Sequence, residues 1–82
     1  MSVEKTLKQR QKTHGDFDKH AQISQDLKAV LWKHDYQKLS PAQCEALEMM
    51  MHKVARILNG DPNYADHWHD IAGYSTLVEN SL

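Results

Sequence analysis

A chain of 82 residues is one domain's worth of sequence, and a domain that small buries a modest share of its surface. Cys44 is the only cysteine, so an internal disulfide is excluded, leaving a metal or a partner chain as the staple small folds usually need. The formal charge is −1 with histidines neutral, and the cations at Lys5, Lys8, Arg10 and Lys12 do not extend into a basic stripe, so direct nucleic-acid binding is not expected.

No apolar run approaches the roughly 20 residues of a membrane span, and no apolar leader core follows the first residues. A lone cysteine fits a reducing setting. The expected location is the cytoplasm, that of a bacterial host if the chain is phage-encoded.

The first helix is expected from Val3 to Thr13, with Ser2 as N-cap. Its apolar face is thin (Val3, Leu7), which suits packing on a partner. Gly15 in His14-Gly15-Asp16 ends it, and Asp16 is placed to cap the next helix, with a catalytic role as the alternative. The second helix runs from Phe17 to His34. Phe17, Ala21, Ile23, Leu27, Val30 and Leu31 share one broad face, with Asp18, Lys19, Gln22, Asp26 and Lys33 opposite. The third has the clearest start: Ser40 as N-cap, Pro41 at N1 and Gln43 at N3 form a capping box. It reaches Leu58 and stops at Asn59-Gly60, before Pro62. The fourth begins near Asn63, a candidate cap, and reaches Glu79, with Tyr64, Trp68, Ile71, Ala72, Ser75 and Val78 as its core stripe. No segment alternates as a strand would. The expected fold is a single all-α domain over residues 1–82, a small bundle of about four helices completed by oligomerisation.

Glu45 and Glu48 stand three apart on the third helix, with His52 four beyond Glu48, and Asp66 and Asp70 stand four apart on the fourth. Two helices that each offer a carboxylate pair suit Mg²⁺, a hard ion that takes oxygen ligands and substrate phosphates. The plain alternative is a solvated acidic face. On the third helix the apolar arc centres on Leu47, Val54 and Leu58, with Glu45, His52 and Arg56 pointing away and Glu48 at its border. On the fourth, Asp66 and Asp70 face away from Trp68 and Ile71, yet Gly73 and Leu77 share their side. A glycine admits a close neighbour and an outward leucine wants cover, so another subunit is expected there, with the carboxylates between packed faces.

Other clusters offer less. His67 and His69 diverge by about 200° on a helix and cannot share a metal, although His67 could pair with Asp70. Cys44, at the edge of the core arc, reads better as a small buried hydrophobe than as a nucleophile. In Met49-Met50-Met51, Met51 suits the core and Met49 an interface. Lys53 and Arg56 share a helix side and could hold phosphates, or pair with acidic neighbours.

His14-Gly15-Asp16-Phe17, Lys53-Val54-Ala55-Arg56-Ile57 and the run from Asp66 through Asp70-Ile71-Ala72-Gly73-Tyr74 resemble a family of small, uncharacterised proteins common in phages and prophages. Its pattern is HGD or YGD, a central KxxR helix and a D-x-x-x-D-I-A-G-Y helix, and the match covers Lys8 to Leu77. That family is similar in turn to the all-α nucleotide pyrophosphatases of the MazG and dUTPase type. The resemblance implies Mg²⁺-dependent (or Mn²⁺-dependent) hydrolysis of nucleoside triphosphates to monophosphate and pyrophosphate, in sites within homodimers or homotetramers. By position, Glu45 and Glu48 match the family's E-x-x-E. Asp70 stands for the last acid of its E-x-x-D, with Asp66 a turn before, at a spacing one residue longer. Lys53 and Arg56 would stabilise phosphate charge, and His14, Asp16, His52 and Tyr74 would meet the substrate. The rival is a non-enzymatic phage or prophage protein that sequesters a nucleotide-like ligand or binds a host protein. A third reading is a purely structural oligomer.

Overall fold

A computed structural model describes residues 2–82. It contains four α-helices, α1 (Val3–His14), α2 (Phe17–Lys33), α3 (Pro41–Asn59) and α4 (Ala65–Ser81), with a short 3₁₀ turn, Tyr36–Lys38, between α2 and α3. No strand occurs among the described residues, so the fold is a small all-α bundle. Among the described residues no helix is long and apolar enough to cross a membrane.

The helix starts follow the expected chemistry. Ser2 accepts the Lys5 N–H and Asp16 accepts the Lys19 N–H, each satisfying an orphan donor of a first turn. At α3 the capping box is complete: Ser40 Oγ accepts the Gln43 N–H at 3.1 Å, and Gln43 Oε1 accepts the Ser40 N–H at 2.9 Å. The start of α4 differs. Asn63 does not cap it; its N–H donates to Asp61 Oδ1 at 2.9 Å in the preceding turn. The helix begins two residues later, with Tyr64 at the cap position and no side-chain cap.

α3 is the central helix, packed on α4 along one side and on α2 along another. The interior differs from the apolar arcs. Among the described residues the buried apolar side chains are two alanines, Ala46 and Ala55, both on α3, and the other buried positions are His20, Ser24, Lys53 and His67. Phe17, Leu58 and Trp68, expected inside, are 74%, 66% and 56% exposed. Ala72 and Ser75 are exposed as well, whereas Tyr64, Ile71 and Val78 are half-buried. Trp68 is held outward by its Nε1–H, which donates to Pro62 O at 2.9 Å. His52 and Arg56 turn inward rather than away, because α1 and α2 close over their side of α3.

What sets α1 and α2 against α3 and α4 is a contact between two turns. Gly15 has φ 81° and ψ −173°, a conformation essentially confined to glycine, and a Cβ there would strike the Asn59 carbonyl. A Cβ on Gly60 would strike the Thr13 carbonyl. Asn59 Nδ2 donates to Asp16 O at 2.7 Å, and the Asp61 N–H donates to Thr13 O at 3.0 Å. His67 Nε2 also reaches Thr13 O, at 3.3 Å, rather than pairing with Asp70. Gly15→Ala should lower stability by about 2 kcal/mol or more, since it adds backbone strain of roughly 1–3 kcal/mol to a steric clash. Urea unfolding checks this; an unchanged midpoint would mean that the turn-to-turn contact does not hold the bundle together.

Candidate anion-binding cleft

The last turn of α1, the Gly15–Asp16 link and the first turn of α2 roof one side of α3, leaving a cleft of about 340 Å³. Its lining includes Arg10 and His14 from α1, Asp16, Phe17 and His20 around the start of α2, and His52 and Arg56 from α3. Asp16 is the one carboxylate in that lining, and Oδ2 is already engaged at 3.1 Å by the Lys19 N–H. The cleft therefore gathers cations and imidazoles without matching negative charge.

Arg56 is half-buried, yet the one ion pair among the described residues is Lys53–Asp70, at 3.0 Å. Burial and the neighbouring Arg10 lower the Arg56 pKa, although a guanidinium stays charged near neutrality. His20 is 6% exposed, and its Nε2 lies 3.3 Å from His52 Nδ1 with the rings edge-to-face. One of those nitrogens must donate and the other accept. His20 Nδ1 is buried with no hydrogen-bond partner, which costs about 1–3 kcal/mol. The start of α2 adds the positive end of its dipole beside the cleft, where Gly15, Asp16 and Phe17 line it.

Burial, reinforced by Arg56, pushes the pKa of both His14 and His52 down to about 4, and His20 is lowered for the same first reasons. These rings are therefore neutral at pH 7. His14 also packs edge-on against His67, with centroids 4.6 Å apart, which fixes it between the cleft and α4.

The structure brings His14, Asp16, His52 and Arg56 together and leaves the other expected site residues outside the lining. Lys53 turns to α4, where it is 9% exposed and bound to Asp70, so it is not a partner of Arg56 in the cleft. Its hydrogen bond holds the Asp70 carboxyl below the usual range. Tyr74 is half-buried on α4. The four carboxylates are dispersed. Glu45 is exposed, and Glu48 Oε2 accepts from Cys44 Sγ at 3.2 Å, which raises the thiol pKa. Asp66 is exposed at the start of α4, beside Tyr64, whose phenol pKa it raises. No group of three or more His, Cys, Asp or Glu that could hold a metal forms among the described residues, so one chain's carboxylates do not fit an Mg²⁺ cage. Arg10 and His20 were not among the sequence candidates. His20 had a usable signal: it lies seven residues before Leu27, in the middle of the α2 face that turns inward.

The lowered histidines set the pH dependence. Unfolded, His14 and His52 would titrate near 6.5; folded, near 4. Between these values the unfolded chain binds protons that the folded chain refuses, so stability is full above about pH 6.5 and falls as pH drops toward 4. Asp70 titrates below that window, because its pKa is lowered from an already acidic value. Urea midpoints should therefore be lower at pH 4.5 than at pH 7.5, with a smaller gap in His52→Gln. Equal midpoints in the wild type would contradict the neutral assignment.

Neither a curated protein nor a solved structure matches the chain. Residues 2–81 match a family described as "Domain of unknown function (DUF6378)". That match runs from the cap of α1 to the last residue of α4, taking in every element that builds the cleft, and the chain belongs to the DUF6378 family.

Proposed function

We propose that the cleft binds a nucleotide through its phosphates, on a helical scaffold of the MazG type. The observation that carries this reading is a half-buried, unpaired Arg56 beside the His20–His52 pair, in a cleft lined by one carboxylate. An anion would accept from the guanidinium, and its oxygens could accept from an imidazole N–H. Hydrogen bonds to a charged partner contribute about 1.5–3 kcal/mol each. Arg10 offers a second cation at the edge. Phe17, 74% exposed at the lip, offers an aromatic face on which a base could stack, which favours a nucleotide over bare phosphate.

A second reading is the Mg²⁺- or Mn²⁺-dependent hydrolysis of a nucleoside triphosphate to monophosphate and pyrophosphate. It is favoured by the partial exposure of Asp70, whose side chain keeps 42% of its surface open despite Lys53. Since one chain's carboxylates do not form a cage, this reading needs carboxylates from another copy. In its absence the chain is a nucleotide-sequestering derivative of the enzyme scaffold. Either form, encoded by a phage, would act on the nucleotide pool of its host.

Calorimetric titration with ribo- and deoxyribonucleoside triphosphates, and with inorganic pyrophosphate, tests the binding. Arg56→Met should weaken nucleotide binding about tenfold or more, by loss of a charged hydrogen bond. It should leave stability unchanged or slightly higher, because it removes an unpaired, half-buried charge. Phe17→Ala should weaken nucleotides more than pyrophosphate. Absence of binding across the panel would sink the proposal. Metal-dependent pyrophosphate release that Asp70→Asn abolishes would decide for the hydrolase.

A further inference from the structure

α1 alone among the four α-helices buries no residue. Its anchors lie at its C-terminal end, at Thr13, His14 and Gly15, leaving Val3 and Leu7 70% and 59% exposed. A helix of 12 residues is marginal on its own in water. The chain as a whole is under-compacted. It exposes 6081 Å², against about 5,000 Å² for a compact monomer of its mass. Its radius of gyration is 14.1 Å, against about 12 Å for a compact chain of this length. The excess surface, about 1,000 Å² on that scaling, is close to the roughly 800 Å² each partner loses in a standard protein interface.

A second uncovered line lies on the outer side of α4. Leu77 is 69% exposed, and a Cβ on Gly73 would meet nothing within 4 Å. Asp66 and Asp70 continue the same line, Asp70 at its inner edge, where it is held by Lys53 of the same chain and keeps 42% of its side chain open. The two lines match in spacing and in chemistry. Val3, Leu7 and Arg10 are separated by four and then three residues, and Leu77, Gly73 and Asp70 by the same steps in reverse. Set antiparallel, Val3 meets Leu77, Leu7 enters the gap over Gly73, and Arg10 meets Asp70. The charge balance agrees, since α1 carries Lys5, Lys8, Arg10 and Lys12 against Glu4, while α4 carries Asp66, Asp70 and Glu79 with no Lys or Arg.

We infer that the chain forms a reciprocal dimer, in which α1 of each copy lies antiparallel along the outer face of α4 of the other, in the Val3–Leu77, Leu7–Gly73, Arg10–Asp70 register. The apolar pairs supply burial, and the absent Gly73 side chain lets the helices approach closely. Arg10 and Asp70 form a pair at the edge. Because Arg10 also lines the cleft, the other copy's Asp70 and Asp66 come to its mouth, where they offset Arg10 and supply the second-copy carboxylates that the hydrolytic reading requires, so the site is built from two chains.

Sedimentation velocity on the full chain at neutral pH tests this. The wild type should sediment at about twice 9.5 kDa. Gly73→Leu should reduce the mass to one chain with helicity retained, because its own protomer has room for the added side chain and only the neighbour's Leu7 does not. Leu7→Asp should do the same, while Val30→Asp, on an exposed position of α2, should remain dimeric. The register has an independent readout. Leu7→Cys with Gly73→Cys, in a Cys44→Ser background, should form a disulfide-linked dimer under mild oxidation, while Val3→Cys with Gly73→Cys should not. A monomeric wild type, or a Gly73→Leu protein that stays dimeric and a Leu7–Gly73 cysteine pair that does not link, would overturn the inference.

Discussion

The packing of one glycine turn on another is the contact on which the rest of this structure depends. Gly15 ends α1 and Gly60 ends α3, and their missing side chains admit the backbone of Asn59 and of Thr13–His14 respectively. The Thr13 carbonyl receives both the Asp61 N–H and the His67 ring, and Asn59 reaches across to Asp16. Two helical hairpins are thereby fixed at one end by backbone approach and hydrogen bonds, with little apolar burial. This contact places His14 and Asp16 over α3 and puts the start of α2 beside His52 and Arg56. The cleft is a consequence of that junction, formed where two turns meet too closely for side chains while the helices diverge from it.

The interior that results is polar. A buried lysine is tolerable because its ammonium meets Asp70, and a buried His67 because it meets a carbonyl. His20 is satisfied at one nitrogen only. Such an interior contributes less hydrophobic stabilisation than an apolar one, since burial of two alanines is a small gain beside that of larger side chains. An unsatisfied imidazole nitrogen and an unpaired guanidinium beside one another are costs carried by the folded protein. The same shortage of apolar burial explains why so many large apolar side chains remain at the surface. The polar cleft and the uncovered lines on α1 and α4 therefore have a common origin in a small chain that assigns its centre to charged and hydrogen-bonding groups.

The sequence by itself determined the helices. Their ends are written in local chemistry: Ser2, Asp16 and Ser40 with Gln43 satisfy first-turn donors, and Gly15 and Gly60 stop the chain where side chains cannot follow. The residues that line the cleft were also partly legible, because His14 and Asp16 adjoin a helix junction and Arg56 sits one turn from His52. Which side of each helix faces inward was decided only by the tertiary structure. A hydrophobic arc predicts burial when the interior is apolar, but here His20, Lys53 and His67 occupy the centres of the packed faces, and Phe17, Leu58 and Trp68 lie outside. The dispersal of Glu45, Glu48, Asp66 and Asp70 was likewise invisible to spacing, which places two carboxylates on one side of a helix without saying what that side meets. The physical reason is that capping and turn chemistry act over three or four residues, whereas the partners that make a buried lysine or histidine tolerable come from distant segments, and only the folded chain brings them together.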